Sequence, residues 1–325
     1  RPGLASFQKG MLRKEELYRY FPLFVFTAIV VILGFVVPRF LSVRNIVNVL
    51  NQSAALGLMA IGITFAMVTG GIDLSGPSVM ALGGVLGAMF MRAGGSPVVG
   101  GAIMVALCTA LGAFNGFAIA YLRMVPFVVT LSMMYVAMGA SIWLTREVSI
   151  SNLPRRFIEA FTARVLGIPF PVFLFFVVAL VVFWYIRKSR YGRWLYATGS
   201  HVTVARLLGV PVERVTFTAY VLSGFFAGLA AMVITARLMS ASSKMGGEGV
   251  ILNVVGAAVV GGVSVHGAEG SVLGAAIGAL FVTMLENMMN MMQVSYYLSL
   301  VAKGSLVVAV VAFDFWRKQK FYGRG

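Results

Sequence analysis

The sequence predicts an all-α polytopic membrane protein of about ten transmembrane helices, some of them discontinuous. Three observations predict it. Sixty per cent of the 325 residues are apolar and 11% are charged, against about 25% charged in an average soluble domain. Runs such as Ala93–Leu122, Met124–Thr145, Val165–Ile186 and Val215–Ala236 carry no formal charge, and each reaches the roughly 20 residues that cross a bilayer. The third observation is Gly70-Gly71-Ile72-Asp73-Leu74-Ser75-Gly76-Pro77-Ser78, which interrupts the 47-residue run Asn45–Met91 with that run's only charge. At a bilayer centre an Asp costs roughly 2.5–3.5 kcal/mol, and Gly and Pro break a helix where lipid cannot satisfy the backbone. Such breaks are tolerated where protein or a water-filled cavity supplies partners, and they often mark a transport path.

In chain order, residues 1–19 form a basic segment expected in the cytoplasm. Apolar segments follow at about 20–38, 48–69, 78–91, 98–122, 126–145, 168–186, 215–236, 250–265, 271–292 and 296–313. Residues 20–313 therefore read as one transmembrane domain, and residues 314–325 as a cytoplasmic tail. Phe21–Val37 is too long for a typical signal-peptide core, so no cleaved leader is expected; the start at Arg1 and not at Met suggests a trimmed N-terminus. With both termini inside, the inner loops hold 16 Lys and Arg and the outer loops nine, a bias that favours cytoplasmic termini. Arg146, Arg155, Arg156 and Arg164 share one outer loop and blur it. The net charge of +16 follows the ends of apolar segments and forms no patch on a soluble domain, so nucleic acid is not expected as a partner; the lipid bilayer is. One cysteine, Cys108, and two separated histidines, His201 and His266, leave no disulfide framework and no metal site.

Glycines crowd the apolar segments: Gly83-Gly84, Gly100-Gly101, Gly112, Gly116, and Gly270, Gly274 and Gly278 at a spacing of four. Small residues at that spacing let helices approach closely in lipid. A weak internal echo is also visible. Gly70-Gly71-Ile72-Asp73-Leu74-Ser75-Gly76 resembles Gly261-Gly262-Val263-Ser264-Val265-His266-Gly267. Matching breaks in two halves of a chain point to a central substrate path.

Asp73 and Ser75 precede Gly76-Pro77, where proline predicts the first turn of a helix over Ser78–Met91. Asp73 could cap that helix, accept hydrogen bonds from a polyhydroxylated solute, or relay protons. Asn115, Thr130, Asn253 and Ser264 are polar groups at membrane depth, read either as ties between helices or as ligand contacts. With Asp73 and Ser75 they make up the candidate translocation path. Glu286 could pair with Lys303, and the methionines at 288, 289, 291 and 292 read as adaptable packing. No residues form a nucleophile and base set, so an intramembrane enzyme is excluded and no catalytic residue is assigned.

The loop Arg187–Arg214 is expected on the cytoplasmic side. Ser200 is placed to cap a short helix running to Leu208, with Gly209 and Pro211 as stop signals. Val204, Leu207 and Leu208 would then stand among basic residues such as Arg206. Such a helix suits either the headgroup interface or a groove on a soluble partner.

At these residues the chain resembles the permease family of bacterial ATP-binding-cassette importers for ribose and related monosaccharides. The resemblance spans Leu41 to Phe313. It rests on Gly70-Gly71-Ile72-Asp73-Leu74-Ser75, on Tyr196-Ala197-x-Gly199 followed by Arg206-Leu207-x-Gly209-Val210, and on Gly261-Gly262 followed by Gly270, Gly274 and Gly278-Ala279. It implies a type II importer permease in the bacterial cytoplasmic (inner) membrane, working as a dimer with a second copy or a paralogue. It also implies a cytoplasmic ABC ATPase that carries ATP and Mg, and a periplasmic solute-binding protein. On this resemblance residues 187–214 become the coupling loop, with Ser200, Val204, Arg206, Leu207, Leu208 and Gly209 at the ATPase. The chain departs from the family at Gly76-Pro77, at Ile251 and Asn253 where acidic residues are usual, and at His201-Val202, which puts the identity of the sugar in doubt.

The chain has no Gly-Lys dipeptide, hence no phosphate-binding G-x-x-x-x-G-K-[ST] loop. Any ATP must act on a partner, and no cofactor is expected on this chain. The alternatives are a nucleoside or branched-chain amino acid permease of the same superfamily, or an autonomous secondary transporter. The second would need an ion-coupling site for which Asp73 and Glu286 are thin support.

Overall fold

The computed structural model describes residues 31, 34, 35, 37–165 and 167–322, and its helices begin where the sequence supplies a start signal. Helix α1 (Val43–Val68) follows Ser42, whose hydroxyl accepts the Asn45 N–H at 3.3 Å. Proline occupies the first turn of α2 (Gly76–Arg92), α3 (Pro97–Ala120) and α4 (Pro126–Thr145), where its missing N–H costs no hydrogen bond. The expected outer loop folds into α5 (Arg155–Thr162) and a two-stranded turn, β1 (Arg164–Val165) with β2 (Ile168–Pro169). Phe157 of α5 is buried, and the Phe161 ring sits between Phe157 and Phe170 at centroid distances of 5.4 and 5.8 Å. Helices α6 (Phe170–Lys188), α7 (Arg190–Ser200), α8 (Val202–Leu207) and α9 (Val212–Leu238) follow. After a 3₁₀ turn at Ser243–Gly246 come α10 (Glu248–Val260), α11 (Val272–Met291) and α12 (Tyr296–Tyr322).

Six of the described helices, α1, α3, α4, α6, α9 and α11, are long and apolar enough to cross a membrane. The chain is a multi-pass membrane protein. These helices do not establish the expected count of ten. Segments 78–91 and 250–265 form α2 and α10, of 17 and 13 residues; the first stands at the lower limit of a bilayer crossing and the second falls short of it. The latter ends at Val260 and not at 265, because the Gly261-Gly262 turn stops it. Most of segment 20–38 lies outside the described residues.

The chain divides into two compact units. Within residues 47–283, α3 and α9 form the most extensive helix pair, and glycine is the reason. A Cβ on Gly112 would stand 2.9 Å from the Gly224 Cα, one on Gly116 2.8 Å from the Phe217 carbonyl, and one on Gly228 2.6 Å from the Val105 Cα. Gly112 on α3 thus faces Gly224 on α9, while Gly116 packs on Phe217 and Gly228 on Val105, and small residues on both helices bring backbone against backbone. The same applies to Gly274 and Gly278 of α11, where a Cβ would run into the carbonyls of Gly261 and Ala257. Gly270 does not belong to that helical face; it precedes the helix at φ 124°.

In the unit made of residues 1–46 and 284–325, Asn45 Nδ2 donates to Asn287 Oδ1 at 2.9 Å and to the Phe40 carbonyl at 2.8 Å. Lys303 Nζ and Glu286 Oε1 form an ion pair at 2.7 Å with the Lys303 side chain 10% exposed, which is the pairing the sequence suggested.

Candidate functional site

The first break starts as α1 ends. The Gly70 N–H reaches the Met67 carbonyl at 2.9 Å and the Gly71 N–H the Ala66 carbonyl at 3.1 Å, a double bond pattern that closes a helix through a left-handed residue. Gly70 takes that role at φ 88°. Six positions later, at Gly76, α2 starts. Ser75 holds the N-cap position but its hydroxyl caps nothing. Asp73 Oδ1 instead accepts the Ser75 N–H at 3.0 Å and the Ser75 hydroxyl at 2.6 Å, an Asx turn that fixes the link. So Asp73 does not cap α2 directly; it shapes the approach to it.

Two long helices then hold this turn in place. Ser223 of α9 donates to Asp73 Oδ2 at 2.7 Å, and Asn115 Nδ2 of α3 donates to the Ser75 hydroxyl at 2.9 Å. Both side chains are short and reach only because the facing glycines let α3 and α9 close up. From α4, Thr130 donates to the Ile72 carbonyl at 3.0 Å. Asp73 is 3% exposed and accepts three hydrogen bonds, each to a charged acceptor worth about 1.5–3 kcal/mol. The Tyr220 hydroxyl of α9 and Asn115 Oδ1 are buried and make no hydrogen bond among the described residues; a Cβ on Gly71 would run into that hydroxyl. Asp73, Ser75 and Asn115 therefore form one cluster with Thr130 at its edge. Sequence reasoning missed Ser223 and Tyr220, although the Ser223-Gly224 pair inside an apolar run was a usable signal.

Asn253 and Ser264 belong to other elements. Asn253 sits on α10, and Ser264 is buried in the second break. There the Gly262 N–H bonds the Val259 carbonyl and the Val263 N–H the Ala258 carbonyl, both at 2.9 Å, with Gly262 at φ 82°. This is the turn of the first break with Gly70 matched to Gly262, one position away from the match the sequence echo suggests. The loop that follows is longer: Gly70 and the helix restart at Gly76 are six positions apart, Gly262 and Val272 ten. Ser271 caps α11, accepting the Gly274 N–H at 2.9 Å.

The cytoplasmic loop of the sequence reading contains two helices. Ser200 does not cap the second; it is the last residue of α7, and His201 stands before α8 without a side-chain cap. Helix α7 carries on through Ser200 because its last turn is packed. Gly209 at φ 79° ends α8, and the Val210 N–H bonds the Ala205 carbonyl at 3.0 Å. Leu207 and Leu208 are 83% and 77% exposed, Val204 is exposed beside them, and Arg206 pairs with Glu213 at 2.6 Å. On α7, Tyr191 donates to the Val215 carbonyl at 3.3 Å and Tyr196 to the Gly270 carbonyl at 2.7 Å. Burial lifts both hydroxyls above the ordinary tyrosine range. Among the described residues no three of His, Cys, Asp and Glu gather as a metal site.

A family model described as the permease component of branched-chain amino acid transport systems matches residues 45–311. The D-allose transport system permease protein of Escherichia coli is 34% identical over 301 residues, 91% of each chain. The ribose import permease protein of Bacillus subtilis is 36% identical over 303 residues, 92% of each chain. The L-arabinose ABC transporter permease protein of Azospirillum brasilense is 30% identical over 296 residues, 91% of this chain and 87% of that one. No solved structure matches the chain.

Proposed function

The chain belongs to the family of permease components of branched-chain amino acid transport systems, and from that premise we propose that it is the membrane subunit of an ATP-driven importer for a monosaccharide or related polyol. The observation that carries the reading is that near-full-length relatives at 30–36% identity are permeases for allose, ribose and arabinose. A nucleoside or branched-chain amino acid substrate is not favoured by them. Two permease chains form the path in the bacterial inner membrane, both termini lie in the cytoplasm, and a periplasmic binding protein delivers the solute. A separate ATPase binds ATP and Mg and docks on α8, where exposed Leu207, Leu208 and Val204 offer an apolar knob for a groove.

The break at Gly70–Ser78 belongs beside the path, with Asp73 as the pin that shapes it. In this pose its carboxylate is occupied by Ser75 and Ser223, while the Tyr220 hydroxyl and Asn115 Oδ1 keep hydrogen-bonding capacity for water or a passing hydroxyl.

Reconstitution in liposomes tests the reading. The chain alone is expected neither to hydrolyse ATP nor to accumulate sugar; ion-driven uptake without partners would sink the importer reading. With the ATPase added, Leu207→Asp is expected to lose ATPase retention while the membrane fold survives, because an unpaired carboxylate in a desolvated groove costs several kcal/mol. Wild-type retention in that variant would move the docking site elsewhere.

A further inference from the structure

The three stretches that carry the family resemblance meet at one place. The Ala268 N–H, in the second break, donates to the Val68 carbonyl at the end of α1 at 3.0 Å. Gly199, in the last turn of α7, lies over this bond. A Cβ there would run into the Val68 carbonyl oxygen and stand 2.7 Å from the Ala268 nitrogen. Gly267 completes the contact: at φ 91° its Cβ position falls 3.0 Å from the Gly70 backbone and 3.1 Å from the Gly199 carbonyl. One turn earlier on α7, Tyr196 donates to the Gly270 carbonyl at 2.7 Å. Three backbones touch here with no side chain between them.

The N-terminal end of α7 is anchored as well. The Tyr191 ring leans on Phe65 of α1 at 6.5 Å, and its hydroxyl bonds α9 at Val215. Leu195 is buried. Only His201 separates α7 from α8, which is too little chain for the two helices to move independently.

We infer that Tyr196 and Gly199 are positioning residues for coupled transport, joining α7 to the meeting point of the two helix breaks so that a displacement of α8 moves the second break relative to the first. This rests on the proposed function. Gly199 supplies the close approach, since any side chain would push α7 off the Val68–Ala268 bond. Tyr196 supplies the grip, holding the loop at Gly270 just before α11 restarts. The second break follows α7 because Tyr196 holds its Gly270 carbonyl and Gly199 packs on its Ala268 nitrogen; the first is tied by Asp73 and Ser75 to α9 and α3. A shift of α7 therefore changes the geometry of one break relative to the other.

The test uses the whole assembly in proteoliposomes: this chain, its ATPase and the sugar-loaded binding protein. The wild-type chain must first retain the ATPase and respond to the binding protein; failure there overturns the importer reading itself, before any variant is compared. Tyr196→Phe preserves shape and removes the bond to Gly270. It is expected to keep wild-type ATPase retention and basal hydrolysis, and to lower sugar uptake per ATP about two- to tenfold, the range that one net hydrogen bond spans. Gly199→Ala is expected to uncouple more strongly, and if it does not fold Tyr196→Phe still decides. Amide exchange over residues 262–271 is expected to respond to nucleotide in the wild type and to lose that response in Tyr196→Phe. Wild-type uptake per ATP in Tyr196→Phe would overturn the inference, as would a parallel loss of ATPase retention and uptake, the mark of a contact that only holds the fold.

Discussion

The link from Gly70 to Gly76 and the link from Gly262 to Val272 both leave a helix through a left-handed glycine, and each leads into another helix. What holds them differs. The short link is tied by side chains: Asp73 gathers Ser75 and Ser223, Asn115 holds Ser75, and Thr130 holds the Ile72 carbonyl. In the long link backbone bonds lead: the Ser264 N–H reaches the Glu269 carbonyl at 3.0 Å and the Ala268 N–H reaches Val68, with the Tyr196 hydroxyl added at the Gly270 carbonyl. Side chains from three helices fix the first link to its surroundings from several directions. Backbone bonds and the left-handed residues Gly267, Ala268 and Gly270 give the second its shape, and Val68 and Tyr196 hold it from α1 and α7. One turn chemistry thus serves an anchored break and a followed one.

The largest effect expected from this comparison is at Asp73. Asp73→Leu leaves the Ser75 N–H, the Ser75 hydroxyl and the Ser223 hydroxyl without an acceptor in a buried site, at about 3 kcal/mol or more. Thermal unfolding in detergent should show a large loss of stability. Asp73→Asn keeps an acceptor oxygen and should cost less, while uptake by the reconstituted importer falls. Removing the Tyr196 hydroxyl, which gives the second link one hydrogen bond at Gly270, should cost less than this loss. A stability for Asp73→Leu equal to the wild type would erase the distinction between the two breaks.

A smaller and equal effect is expected where the breaks are alike. A Cβ on Gly70 would lie no closer than 3.9 Å to any neighbour, and one on Gly262 would meet nothing within 4 Å. Alanine at either position therefore pays only for the left-handed backbone, about 1–2 kcal/mol. Gly70→Ala and Gly262→Ala should lower the unfolding temperature by the same amount. A clear inequality would mean that the two turns are not equivalent and that the match of Gly70 to Gly262 is wrong.

Much of this was legible in the sequence, and the failures have physical causes. The break at Asp73 stood out because a lone charge and Gly-Pro in an apolar run are costly unless something compensates. The proline starts of α2, α3 and α4 followed from local chemistry alone. The echo was legible but read one residue out of register: in a Gly-Gly pair either residue can take φ > 0, and only the hydrogen-bond pattern reveals that Gly70 and Gly262 do. Ser223 and Tyr220 were hidden because α9 is apolar around its circumference, so no periodicity says which face meets α3. Ser200 was misplaced for another reason. Ser before an apolar stretch is a sound cap signal, but the packing of Tyr196 and Gly199 on the two breaks extends α7 through it. The convergence of three separated stretches at Gly199 is a tertiary fact that no spacing along the chain encodes.

The smallest effect separates two serines that stand in the same place. Ser75 and Ser271 each precede a helix restart, and only Ser271 caps its helix, through the Gly274 N–H. Ser271→Ala should cost about 1 kcal/mol, the usual worth of an N-cap, and should speed amide exchange at Gly274 and the first turn of α11 without disturbing the Asp73 cluster. Ser271→Asp should restore protection, since Asp caps as well as Ser and its charge is favourable at a helix N-terminus. At residue 75 the same replacement should do harm, because Ser75→Asp would set a second carboxylate against Asp73 and remove the hydroxyl that Asp73 accepts. If Ser75→Asp were tolerated as well as Ser271→Asp, the first break would be an ordinary capped helix start, and Asp73 would lose its assigned role as the pin.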